Sequence, residues 1–224
     1  MSRAPVKAAP AEPAGHIRQA NRERILAAAE PVFARAGFNG ATMGAIAEAA
    51  GLPKANLHYY FGSKQDLYRE LLAGTLRDWL VPMDSLVPEA DPATALASYI
   101  QAKMTMSAAR PDASRVFANE LLHGAPVLGD LMRTELRTMV AKKAAVVRAW
   151  IAAGRMAPVD PEHLFFTLWA ATQTYADFDV QVRAVLGRSK LTRRDHERAA
   201  AHVVSLVLRG CGLVPPPPQP PPPT

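Results

Sequence analysis

The stretch Thr42–Lys64, TMGAIAEAAGLPKANLHYYFGSK, leaves the chain few ways to fold. Met43, Ile46, Ala47 and Ala50 recur at helical spacing, which makes one face apolar and small enough for close packing. Thr42 stands where a hydroxyl can accept a backbone N–H and start that helix. Gly51 offers the positive φ that a helix end favours, and Pro53 suits the first turn of a second helix. That second helix, from about Pro53 to Tyr59, buries Leu57 and turns Lys54, Ala55, Asn56 and His58 outward.

The outward set suits a DNA major groove. Asn56 can make a paired donor–acceptor contact with adenine, Lys54 can meet guanine or phosphate, and Ala55 can touch a thymine methyl. Tyr59 and Lys64 are placed to bond phosphates on either side, which sets register without reading sequence. The spacing alone is also that of any two short helices around a glycine, with no DNA involved.

The 224 residues carry a net charge of +6 and a pI near 9.7, a balance that favours a polyanionic partner without establishing one. Alanine is abundant and β-branched residues alternate nowhere for long, so the expected class is all-α. The single cysteine, Cys211, excludes an intrachain disulfide and is compatible with a reducing cytoplasm. Residues 1–16 read as a disordered Ala/Pro arm without the apolar core of a secretory signal; Arg3 and Lys7 there read as part of a solvated tail. No apolar run reaches the roughly 20 residues needed to cross a bilayer, so a soluble protein without a membrane partner is expected.

A first helix is expected over about Ile17–Ala36, with Pro31 as a candidate kink and Gly37 as its end. Ser63 caps a helix to about Val81, which leaves the reading domain and enters the second domain. Further helices are expected from Pro92, Pro111, Pro126 and Pro161, the last running to about Val185, and over Thr192–Arg209. The closing proline run reads as a loose extended tail.

No catalytic constellation emerges: there is no H-E-x-x-H, G-x-S-x-G, phosphate-cradling glycine loop or C-x-x-C. The histidines do not pair at metal-ligand spacing, and no cofactor is implied. A second informative stretch is HLFFTLWAATQTYADFDVQV, His163–Val182. Trp169 and Gln173 lie one turn apart on a helix face, a flat wall beside a donor–acceptor amide. That pair suits a small planar heterocycle with neighbouring N–H and C=O groups, or else a core tryptophan and a glutamine bonded to backbone.

The region Arg22–Tyr68 resembles the N-terminal domain of the TetR family of transcriptional regulators. Gly37-Phe38, Thr42, Ile46-Ala47, Ala50-Gly51, Leu57, Tyr60-Phe61, Ser63-Lys64 and Leu67 carry the resemblance. Pro53 departs from it, standing where the family commonly has serine, and His58 stands where an aromatic or apolar residue is common. The resemblance implies a helix-turn-helix over residues 17–64, with Thr42, Lys54, Ala55, Asn56, His58, Tyr59 and Lys64 on DNA. It also implies a helical ligand-binding and dimerisation domain over 65–212, with a proline-rich tail over 213–224.

In the second domain, Ala113-Ser114-Arg115, Gly124-Ala125-Pro126, Asp160-Pro161, Trp169-Ala170, Thr172-Gln173 and Tyr175-Ala176-Asp177-Phe178 resemble pyrimidine-responsive members of that family. This implies uracil or thymine as effector, Trp169 and Gln173 as its contacts, and a homodimer on double-stranded operator DNA. The alternative is a regulator of the same type that senses another drug or metabolite and controls efflux or catabolic genes.

Overall fold

The computed structural model describes residues 14–215, and the proline run beyond them, with Arg3 and Lys7, lies outside the described residues. Among these residues every regular element is helical. The chain divides into two compact units, one reaching to Tyr68 and the other starting at Arg69.

The first unit holds α1 (Ala14–Gly40), α2 (Met43–Ala50), α3 (Lys54–Tyr60) and the start of α4 (Lys64–Leu80). Helix α1 begins ahead of the expected Ile17, and its non-helical dihedrals fall at Gly37 (φ 65°, ψ 176°), not at Pro31. Glycine adopts that positive φ without a Cβ clash, so the turn takes the break that the proline was expected to cause. Ile25, Ala29 and Phe33 of α1 are buried, as are Ile46, Leu57, Leu67 and Tyr68. The Phe33, Phe38 and Tyr68 rings meet in this core, with Phe33 and Phe38 each 4.9 Å from Tyr68.

In the second unit, α4 ends in a 3-10 turn (Val81–Ser85). Next come α5 (Pro92–Ala109), α6 (Pro111–Leu122), a short α7 (Gly129–Leu131) and a π turn (Met132–Leu136) that runs into α8 (Arg137–Ala152). Asp91 and Asp160 cap α5 and α9 by accepting the N–H of Thr94 and of His163. The helix expected to run unbroken from Pro161 stops early: α9 is Pro161–Asp177, Phe178 leaves helical geometry, and α10 is Asp179–Leu186. Thr192 and Asp195 form a reciprocal capping box at the start of α11 (Arg193–Gly210).

Helix α5 packs against α9 and α11, and α6 and α8 against α9, around a core that includes Leu96, Ile100, Phe117, Trp150 and Phe165. On α11, Ala199, Val203 and Val207 are buried in this core. Leu206 is 62% exposed. No described helix is long and apolar enough to cross a membrane.

Candidate DNA-reading face and effector site

The turn between α2 and α3 is built by local hydrogen bonds. Thr42 Oγ1 accepts the Ala45 N–H at 3.1 Å, which satisfies one orphan donor of the first turn. At the other end Gly51 sits in the left-handed region (φ 62°, ψ 38°), and the Leu52 N–H reaches back to the Ala47 carbonyl at 3.0 Å. The positive φ at residue 51 is one that L side chains rarely adopt, so the turn favours glycine; the atom nearest an added Cβ, Arg24 Nη2 at 2.8 Å, is the movable end of a side chain. Pro53 precedes α3 with extended geometry (φ −57°, ψ 140°) and offers no side-chain cap, so the helix starts at Lys54 rather than at the proline.

Within α3, Leu57 is the buried residue, while Lys54, Ala55, Asn56, His58 and Tyr59 are all exposed. Burying a leucine side chain contributes about 1.5–3 kcal/mol, so one residue anchors the helix and leaves its other faces free. Arg22 holds the far end. Its Nη1 donates to the Tyr60 carbonyl at 2.9 Å, and its guanidinium lies over the Phe61 ring at 4.7 Å. Asn21 Nδ2 donates to Tyr60 Oη at 3.0 Å. These two α1 residues were not singled out in the sequence, because their partners are nearly forty positions away and no local periodicity marks them.

The structure brings Thr42, Lys54, Ala55, Asn56, His58 and Tyr59 onto the exposed surface of one helix pair. Lys64 is placed differently. Its ammonium donates to the carbonyls of Phe38 at 2.6 Å, Ala41 at 2.8 Å and Asn39 at 3.4 Å, and sits 4.5 Å from the Phe38 ring centroid. All three of its donors are therefore directed at the turn after α1, where free carbonyls collect. In this arrangement Lys64 ties the start of α4 to that turn rather than presenting a free cation.

In the second unit, Trp169 of α9 is half-buried. Its Nε1 donates to Tyr99 Oη at 2.8 Å, and its ring lies 6.3 Å from Phe165 and 5.9 Å from Phe166. Tyr99 is 1% exposed, and burial pushes its phenol pKa up to about 12, so the hydroxyl keeps its proton. Gln173, one turn on, is half-buried and makes no side-chain hydrogen bond among the described residues. Asp177, a further turn on, accepts from Ser114 Oγ at 2.5 Å; burial raises its pKa, opposed by that bond and by the charges of Lys103 and Arg115.

Around this α9 face lie buried polar groups that the sequence alone left unassigned: Lys103, Ser107, Ser114 and Thr172, each 2% exposed or less. Thr172 is satisfied by the Leu168 carbonyl at 2.8 Å. Cys211 is buried, and burial pushes its thiol pKa up to about 11, which leaves no reactive thiolate. No group of His, Cys, Asp and Glu able to hold a metal occurs among the described residues.

Comparison with known proteins bears on both units. Residues 25–71 match the model of bacterial regulatory proteins, tetR family, and residues 72–214 match YcdC-like protein, C-terminal region. The chain is 39% identical over 191 residues to the HTH-type transcriptional regulator RutR of Escherichia coli K12, covering 85% of this chain and 90% of the relative. Its fold is similar to that of a tetR-family bacterial regulatory protein from Rhodococcus RHA1, with a TM-score of 0.69, 22% identity, and coverage of 87% of this chain and 98% of that one. The ketosteroid transcriptional regulator KstR2 of Mycobacterium tuberculosis is similar in fold too (TM-score 0.66, 20% identity, 85% of this chain and 94% of that one).

Proposed function

Because this chain belongs to the TetR family of transcriptional regulators, and is therefore a DNA-binding regulator rather than an enzyme, we propose that it is a homodimeric repressor that releases a near-palindromic operator when uracil or thymine binds. The observation that carries the reading is the pairing of an exposed α3 face with a half-buried Trp169–Gln173 pair on α9. The identity to RutR over most of the chain supports the pyrimidine.

The protein works in the cytoplasm, where α3 of each protomer enters a major groove. The two half-sites of a dimer lie about 34–36 Å apart, so the operator mirrors the protein's two-fold symmetry. Asn56 reads a base edge, Lys54 and Tyr59 position the helix on phosphates, and Ala55 permits close approach. Thr42, exposed at the start of α2, keeps its hydroxyl proton free for a phosphate, and His58 borders the same face. Lys64 acts on DNA indirectly, by holding the turn behind α3.

The dimer forms across α9–α11. Leu206 is outward on α11, Phe166 on α9, Val185 and Leu186 at the end of α10, and Phe178 just before it. The last three line an open groove of about 750 Å³ with Arg198 and His202. Contiguous exposed apolar surface of this kind marks an association site.

Uracil presents an imide N–H flanked by two carbonyls. The Gln173 amide answers the N–H and one carbonyl, and the Trp169 indole covers a ring face. Helix α4 then shifts, because the ligand binds better to the arrangement in which the reading units no longer fit adjacent grooves.

Selection of duplexes from a random pool tests the DNA half of this reading. The expected product is a near-palindrome bound by dimers. Asn56→Ala is expected to lose about 1–3 kcal/mol of discrimination at one base position per half-site, leaving the other positions as selective as before. Uniform weakening at every position would place Asn56 on phosphate instead.

A further inference from the structure

Where α5 gives way to α6, the start of α6 meets α10 and the connection from α10 to α11. Between them lies a cavity of about 420 Å³ whose lining includes Ser107, Arg115, Tyr175, Arg183, Lys190 and His196. Lys103, Trp169 and Gln173 do not line it, so it is separate from the proposed effector contacts. Among the described residues its wall sets the cations Arg115, Arg183 and Lys190 against one carboxylate, Asp179.

The two arginines are already held in place. Arg115 donates from Nη1 to Asp112 at 2.8 Å and from Nε to the Ala176 carbonyl at 3.3 Å. Arg183 donates from Nε to Asp179 at 2.8 Å and from Nη1 to the Ser189 carbonyl at 2.8 Å. That last bond also fixes the backbone beside Lys190. In both guanidinium groups Nη2 has no hydrogen-bond partner among the described residues, and neither do the Lys190 ammonium, the His196 ring and the Tyr175 hydroxyl. Ser107 Oγ is buried without a partner, although buried hydroxyls are nearly always bonded.

Hydrogen-bond donors from α6, α10, α11 and the connection between the last two therefore converge on one space. Guanidinium and ammonium groups donate only, so the occupant must be an acceptor. An uncharged occupant would leave the excess of cations unmatched. A carboxylate offers its oxygens in one plane, whereas phosphate directs several outward and matches the arginine fork.

We propose that this cavity is a second ligand site, which takes a phosphate group as free inorganic phosphate or as a phosphate monoester. Arg115 and Arg183 bond its oxygens from two helices, Lys190 supplies a third charge, and His196, Tyr175 and Ser107 complete the donor set. Tyr175 also lines the open groove beside Phe178 and Val185, so the organic part of an ester has an aromatic wall to follow. Bound phosphate ties α6, α10 and α11 together and stabilises the folded unit by mass action. The site does not depend on the pyrimidine reading.

Calorimetry with inorganic phosphate and with phenyl phosphate, at fixed ionic strength, tests this on the wild type, Arg115→Gln, Lys190→Gln and Arg133→Gln. Arg133 lies outside the cavity, on the π turn, and its substitution removes the same charge. Phosphate affinity is expected to fall about tenfold in Arg115→Gln, about threefold in the exposed Lys190→Gln, and not at all in Arg133→Gln. Lys190 bonds to no described residue, so its variant is expected to melt as the wild type does in the absence of anion, whatever Arg115→Gln does to the start of α6. Tighter phenyl phosphate identifies the ester as the occupant, and equal affinity identifies free phosphate. Saturating uracil is expected to leave phosphate binding unchanged. A wild type that binds neither anion, or an equal loss in all three variants, overturns the site. Displacement of phosphate by uracil overturns it too, because the cavity would then belong to the effector site.

Discussion

Leu206→Asp is expected to convert the protein to monomers and to lower operator affinity by roughly a thousandfold. Leu206 is 62% exposed on α11, while its neighbours on that helix, Val203 and Val207, are buried within their own protomer. The substitution is therefore expected to leave the protomer's core intact and to act on the proposed subunit interface. In a two-fold interface the change occurs twice. A central contact contributes about 2 kcal/mol or more, so two of them amount to about three orders of magnitude in association. An aspartate carried into an apolar interface also lacks a partner for its charge. The reading helix is untouched, so operator binding falls only because half-site pairing needs two copies. Sedimentation and operator titration on the variant check both steps. An unchanged dimer would put the interface elsewhere.

Gln173→Ala is expected to abolish the response to uracil while operator binding stays at the wild-type level. The amide stands one helical turn from Trp169, half-buried and without a hydrogen bond of its own among the described residues. Its loss leaves an imide N–H and a carbonyl of the bound ring unpaired, at a cost of about 1–3 kcal/mol, or roughly five- to 150-fold in affinity. Because no described partner of Gln173 is lost, the fold and the DNA face are expected to be unaffected. Calorimetry with uracil and anisotropy on labelled operator measure the two properties separately. Loss of operator binding in this variant would mean that Gln173 supports the structure rather than the ligand.

The fold of the α2–α3 pair was legible because its information is local. Thr42, Gly51 and Leu57 act on neighbours within a few residues, through a cap, a left-handed turn and one buried anchor, and each leaves a mark in the spacing of the sequence. Lys64 shows the limit. Its charge and position suggested a phosphate contact, but its donors meet carbonyls at Phe38, Asn39 and Ala41, which only the folded turn brings together.

The helix break at Phe178 was hidden for a similar reason. No glycine or proline marks it, and residues beyond it keep an apolar pattern that reads as continuation. On α5 the sign was present but unread. A lysine recurring at four-residue spacing between Tyr99 and Ser107, inside an otherwise apolar helix, is unusual for a core face. Its burial over Trp79 depends on helix packing that periodicity does not encode. Which residues of α11 turn inward is decided by α5 and α9 packing against it, which helical periodicity does not encode.

On the proposed function, a pyrimidine held by Trp169 and Gln173 of α9 controls the α3 surface. The most direct test of that control is uracil titrated into a preformed complex of the wild-type protein with its selected duplex, monitored by fluorescence anisotropy. Coupling between two sites on one protein typically changes affinity by about 5–150-fold. Release within that range is expected for uracil and for thymine, with no release by a non-pyrimidine control. Operator affinity that stays constant at saturating uracil and thymine would contradict it.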